Sequence, residues 1–101
     1  MVRFDERLAT LSFTGDEDAS TVSARRRPLS SALRATRDVV VDLSGLSGAD
    51  PILMLDLAVL AQRLRTSGRT LRLSGARPQV RFLIEQMGLD RQPAIRLDLQ
   101  P

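Results

Sequence analysis

Two carboxylates, Asp42 and Asp50, stand on either side of a run of small residues, Ser44-Gly45-Leu46-Ser47-Gly48-Ala49. A pair of acids at a strand end and a helix start is an arrangement that supports general acid–base chemistry. That chemistry also needs a nucleophile, a base or a metal ligand near the pair. The 101-residue chain has no histidine and no cysteine. It therefore cannot build a thiolate nucleophile, a common zinc site or a histidine-based triad. None of its acids has the spacing of a calcium loop. Structural work is the better assignment, with Asp42 bonding at a strand end and Asp50 capping a helix. No cofactor is implied, and the chain does not read as an enzyme.

A second acidic group, Asp16-Glu17-Asp18, follows Gly15. It offers turn and capping chemistry, or polar contacts to a partner. All fifteen basic residues are arginine, and the formal net charge is +3. Their one dense cluster is Arg25-Arg26-Arg27. It has no aromatic neighbours, so it reads as a solvated helix flank and not as a nucleic-acid or membrane patch. Hydrophobic residues are 43% of the chain and aromatic ones 3%, which predicts a core of Leu, Val, Ile and Ala. The longest apolar run, 52–61, is broken by Asp56 and is too short to cross a bilayer. The opening residues lack the pattern of a signal peptide. These features predict one cytoplasmic domain spanning 1–101, with no membrane insertion.

The elements that would position these residues follow from periodicity. Val2 and Phe4, then Ala9, Leu11 and Phe13, alternate with polar or charged residues as half-buried strands do, with Asp5-Glu6-Arg7 as the turn. Asp18 or Ser20 then caps a helix carrying Val22, Leu29 and Leu33 on one face, with a kink or a restart at Pro28. Val39-Val40-Val41-Asp42-Leu43 predicts a central strand covered on both sides, and 44–49 a loop. Asp50 and Pro51 open a long helix that Ser67-Gly68 closes. Leu71 and Leu73 mark another strand. Pro78 opens a last helix with a stripe of Val80, Leu83, Ile84 and Met87, and Gly88 ends it. Ile95, Leu97 and Leu99 alternate as a final strand. The order β-β-α-β-α-β-α-β predicts an α/β fold, with a mixed, mostly parallel sheet of about five strands and three main helices.

Four segments in order resemble the STAS family of bacterial anti-sigma-factor antagonists. Phe13-Thr14-Gly15-Asp16-Glu17-Asp18 is similar to the family's L-x-G-E-L-D. The run Val39-Val40-Val41-Asp42-Leu43-Ser44-Gly45-Leu46 is similar to its VVLDLSGV. Ser67-Gly68-Arg69-Thr70-Leu71-Arg72-Leu73 is similar to GGRLRLV. Pro78-Gln79-Val80-Arg81-Phe82-Leu83-Ile84, with Met87-Gly88-Leu89-Asp90, is similar to P-x-V-R-x-L-L-E-x-x-G-L-D. The resemblance implies a regulatory protein-binding module working by partner switching in transcription control. Its partner would be an anti-sigma factor or an ATPase-like kinase. The alternative it implies is a structural subunit on the ATPase of an ABC-type lipid-transport complex.

The departure from the family pattern is local. Phosphorylatable members carry Asp-Ser-Ser-Gly at the central helix start, whereas this chain reads Asp50-Pro51-Ile52-Leu53. The phosphoacceptor position is Pro51, which has no hydroxyl. Phosphate there would change the charge by about −2 at a helix N-terminus that favours negative charge. Proline keeps the helix start and deletes that switch. Ser44 and Ser47 carry hydroxyls but do not match the family position.

Helical geometry, at about 100° per residue, puts Leu53, Leu57, Leu60, Ala61 and Leu64 on the core face of this helix. Leu55, Ala58, Gln62, Arg65 and Thr66 lie opposite, with Ile52 and Val59 on one edge and Met54 on the other. An outward side this apolar predicts an interface. The same surface and the loop before it are where the resemblance places the partner. The candidate partner-binding set is thus Asp16, Glu17, Asp18, Ser47, Asp50, Pro51, Ile52, Met54, Leu55 and Val59.

Overall fold

The structure, a computed structural model, describes residues 1–98. The expected place of Leu99 in the last strand lies outside the described residues. Strand β1 (Val2–Asp5) turns back into β2 (Thr10–Glu17). A single 3-10 turn, Ala19–Thr21, leads into helix α1 (Val22–Arg34). Then follow β3 (Val39–Ala49), α2 (Pro51–Arg65), β4 (Leu71–Ser74), α3 (Pro78–Gln86), a second 3-10 turn at Leu89–Arg91, and β5 (Ile95–Leu97). The strands lie in the order β1-β2-β3-β4-β5. The β1–β2 hairpin is antiparallel and every later pair is parallel. Each helix therefore returns the chain to the adjacent strand position. The mixed five-stranded sheet with three helices is the α/β architecture that the alternating elements predict.

The core is aliphatic, as the composition requires. Leu11, Phe13, Val39, Val41, Leu43, Leu71 and Leu73 from the sheet meet Ala32, Leu53, Leu57, Leu60, Leu64, Val80 and Ile84 from the helices. Within α2 the predicted stripe of Leu53, Leu57, Leu60, Ala61 and Leu64 is buried. In α3 only Val80 and Ile84 of the expected stripe are fully covered; Leu83 is half-buried and Met87 is exposed. Met87 falls at the helix C-cap, past the last turn that faces the sheet.

Three sequence expectations are corrected. Val40 is only half-buried, between the fully buried Val39 and Val41. The central strand thus has one covered face. Thr10, Ser12, Val40, Asp42 and Arg72 share the other face through the strand registers. The apolar run gave a two-sided reading because β-branched residues also suit a half-open surface.

Second, residues 44–49 are not a loop. Strand β3 continues through them and pairs with β2 as far as Glu17↔Ala49, with register shifts between Ser12 and Thr14 and between Gly15 and Asp16. The glycines allow this pairing. A Cβ at Gly45 would lie 2.8 Å from Thr14 Cγ2 and 3.1 Å from the Phe13 carbonyl oxygen. Asp42 therefore sits within β3 and does not end it. Third, α1 passes through Pro28 as one helix of 13 residues, without the restart that proline suggested.

The core assignment of α2 has a direct consequence. Leu57→Ala should lower folding stability by about 2–5 kcal/mol, because it removes buried methyl groups and leaves a cavity. Urea unfolding monitored by circular dichroism measures this.

Candidate functional site

The carboxyl ends of β2 and β3 and the start of α2 come together at one end of the sheet. Asp50 is the α2 N-cap. Its carboxylate accepts from the amides of Ile52 (3.0 Å) and Leu53 (3.4 Å), satisfying two donors that the helix cannot pair. Pro51 occupies the first helical turn, where its missing N–H costs nothing. The Asp50 amide donates to the Glu17 carbonyl at 3.1 Å, so the end of β2 is tied to the helix cap. Ser47 Oγ donates to Asp16 Oδ1 at 2.9 Å. Asp18 caps the 3-10 turn before α1, accepting from the Ser20 amide at 2.9 Å. The bonds from the Ser20 hydroxyl and amide hold the Asp18 carboxyl below its ordinary pKa.

From this end α2 presents an outward apolar line. Ile52, Leu55 and Val59 are exposed, Leu55 by 58% and Val59 by 51%, while Ala58 beside them is half-buried. A shallow cleft of about 150 Å³ runs along its flank between α1 and α2, where Leu29, Leu33 and Leu60 meet Val59, Asp56 and Arg63. Asp16, Asp18, Ser47, Pro51, Ile52, Leu55 and Val59 are exposed, and Asp50 is half-buried.

Two members of the predicted set are turned inward. Met54 is 1% exposed and packs in the core. One position past Leu53, it falls within the width of the buried stripe, which is wider than the sequence reading allowed. Glu17 is also 1% exposed. Its side chain points inward from the end of β2 to meet Arg25.

That arginine was missed in the sequence. Arg25 is fully buried, whereas the reading of Arg25-Arg26-Arg27 placed all three in solvent. Its Nη1 donates to Glu17 Oε1 at 2.9 Å and to Thr21 Oγ1 at 3.1 Å. Its Nε and Nη2 lie 3.0 and 2.9 Å from Asp56 Oδ2. Glu17 Oε2 also accepts from the Met1 amino group at 2.8 Å. The signal was present: Arg25 falls on the α1 stripe with Val22 and Leu29, and Asp56 is the one acid inside the apolar run of α2. Burial pushes the Glu17 pKa up. The bonds from the Met1 amino group, Arg25 and Thr21 outweigh it, and the net shift is downward from 4.5.

Asp42 and Asp50 do not act as a pair. Asp42 Oδ1 accepts from Ser44 Oγ at 2.7 Å and from the Ser44 amide at 3.0 Å, while Asp50 is occupied at the helix cap. Among the described residues, no three carboxylates gather as they would to hold a metal ion. No helix there is long and apolar enough to cross a membrane. What the arrangement offers is a surface: an apolar helix face that starts at the Asp50 cap and is flanked by Asp56 and Arg63.

The buried pairing should behave as a unit. Arg25→Met leaves Glu17 and Asp56 without their shared cation and should cost about 3–5 kcal/mol of folding stability. The depressed Glu17 pKa contributes stability that is complete above its unfolded value and is lost as pH falls through the folded value. Urea titrations at a series of pH values should therefore show that acid loss in the wild type and a shallower one in Glu17→Gln. Equal slopes in the two proteins would remove Glu17 from the account.

Over residues 1–100 the chain matches the family model described as "Mlab, STAS domain". No curated protein matches it.

Proposed function

We propose that this chain, which belongs to the STAS domain family, is a single-domain regulatory module that binds an anti-sigma factor or an ATPase-like kinase through the outer side of α2. STAS domains are in general non-enzymatic protein-interaction modules, and the chemistry of this chain agrees with that role. Asp18 and Asp50 serve as caps, Glu17 and Asp56 pair with Arg25, and the chain has neither histidine nor cysteine to act as base or nucleophile.

The observation that carries the reading is the α2 surface. Ile52, Leu55 and Val59 are exposed in one line on a helix whose inner stripe is already filled by Leu53, Leu57, Leu60 and Leu64. Burying such a line against a partner releases water from apolar surface without disturbing the core. Asp50 caps the helix at the start of the line, and Asp56 and Arg63 flank it beside Val59. The fitting partner surface is apolar, with charges that complement these groups.

Pro51 gives the module a fixed state. The position that would carry phosphate in switchable members has no hydroxyl, so binding is not turned off there. A permanent contact equally suits a second reading, a structural subunit on the ATPase of an ABC-type lipid-transport complex. Both readings place the chain in the cytoplasm and use the same face of α2.

Affinity capture from the native cell separates them, since the first predicts co-purification of a kinase-type ATPase or anti-sigma factor and the second an ABC ATPase. Leu55→Asp and Val59→Asp should melt like the wild type, because exposed substitutions shift stability by about 0.5 kcal/mol or less. Each should release the captured partner, since a charge must then be desolvated in an apolar contact. Wild-type capture by both variants would overturn the assignment of this face.

A further inference from the structure

The end of the sheet opposite the α2 start carries a different chemistry. There the first residues of β3, β4 and β5 border a half-open cleft of about 360 Å³. Val40, Arg72 and Arg96 are successive register partners across three parallel strands. Their side chains thus stand in one row on the face of the sheet that the helices leave open. Arg37 and Asp38, just before β3, and Thr70, just before β4, complete the rim.

Folding alone does not account for this row. Arg72 and Arg96 are both exposed and directly opposite each other, a like-charge pairing that opposes sheet formation. Among the described residues neither forms an ion pair, and the Arg72 side chain makes no hydrogen bond. Arg96 Nη1 donates to the Pro93 carbonyl at 3.1 Å, and Arg37 Nη1 to the Arg7 carbonyl at 2.7 Å. These bonds steady the two side chains and leave their other guanidinium donors free. The one carboxylate of the cleft, Asp38, is engaged, because its Oδ1 accepts from the Thr70 amide at 2.8 Å.

We propose that this cleft is an oxyanion site for a phosphate group in its dianionic form. Three guanidiniums face one carboxylate, a surplus of two positive charges. A carboxylate ligand would neutralise half of that surplus, whereas a phosphate monoester carries about −1.5 to −2 at neutral pH. Guanidinium forks match phosphate oxygens in pairs, and arginine keeps its charge at any physiological pH. The bound anion would also replace the repulsion between Arg72 and Arg96 by a shared attraction. This site is separate from the α2 surface and does not rest on it.

The test is a two-dimensional amide NMR titration of the full chain at constant ionic strength, with inorganic phosphate, adenosine monophosphate and acetate as probes. Inorganic phosphate should give saturable shifts at the Val40, Thr70, Arg72 and Arg96 amides, and acetate should not. Equal affinity for the two phosphates would point to free phosphate as the ligand. Tighter binding of the monophosphate would point to a larger phosphorylated molecule whose body fills the rest of the cleft. Arg72→Gln and Arg96→Gln should each weaken phosphate binding about tenfold or more. Without phosphate, both should melt at or above the wild-type temperature, as relief of like-charge repulsion requires. Acetate shifts equal to those of phosphate, or variants that titrate like the wild type, would overturn the proposal. So would a loss of stability in both variants, since the arginines would then serve folding.

Discussion

A guanidinium with no exposure to water is the constraint around which the candidate surface is organised. Burying an ion costs several kcal/mol unless its charge is matched and its donors are filled. Arg25 has its charge matched by Glu17 and Asp56, and its Nη1 and Nε donate to Glu17, Thr21 and Asp56, while Nη2 lies 2.9 Å from Asp56 Oδ2 without a hydrogen bond. Those partners come from the end of β2, the start of α1 and the second turn of α2. The same Glu17 accepts the Asp50 amide through its carbonyl, so its backbone and its side chain both lead to α2. The position of α2 against the sheet is thus fixed by directional bonds at one end and by non-directional packing of leucines along its length.

The second constraint is steric. Strand β3 lies close against β2 at Gly45, where a Cβ would come within 3.1 Å of the Phe13 carbonyl oxygen. The extended pairing carries Asp16 and Glu17 to the level of the α2 cap. It also forces them onto opposite sides of the strand, since successive side chains alternate. Glu17 turns inward to Arg25 and Asp16 outward to Ser47. Backbone geometry thus assigns one acid to the buried ion pair and leaves its neighbour exposed beside Ser47.

Much of this was legible in the residues. Caps, glycine stops and apolar periodicity located the three α-helices, although Asp18 caps the 3-10 turn before α1 and not α1 itself, and alternation located β1 and β2, because those signals are local. The apolar line of Leu55 and Val59 followed from helical geometry alone. What was hidden depends on tertiary pairing. A run of three arginines looks uniform in sequence, and only its register on α1 distinguishes Arg25 from Arg26 and Arg27. Ser44-Gly45-Leu46-Ser47-Gly48-Ala49 has the composition of a loop, yet a neighbouring strand that accepts bulges makes it extended structure. The buried Leu46 in its middle was the clue against a loop. The single covered face of β3 was written in β2, where Thr10 and Ser12 alternate with Leu11 and Phe13, and not in the valines themselves.

At the start of α2, proline at the first helical position and an acid at the cap are mutually compatible. The free N–H groups of a first helical turn can be satisfied by an acidic side chain or by a bound anion such as phosphate. Here Asp50 already accepts from Ile52 and Leu53, and Pro51 has no N–H to offer. Asp50 thus fills from within the chain the role that a bound anion could take at this helix start. The helix start is therefore capped by the chain itself. One of the amides that Asp50 accepts from belongs to Ile52, where the apolar line begins. Cap bonds at its start and a filled leucine stripe beneath it hold this surface in place, so little freedom would be lost in covering it.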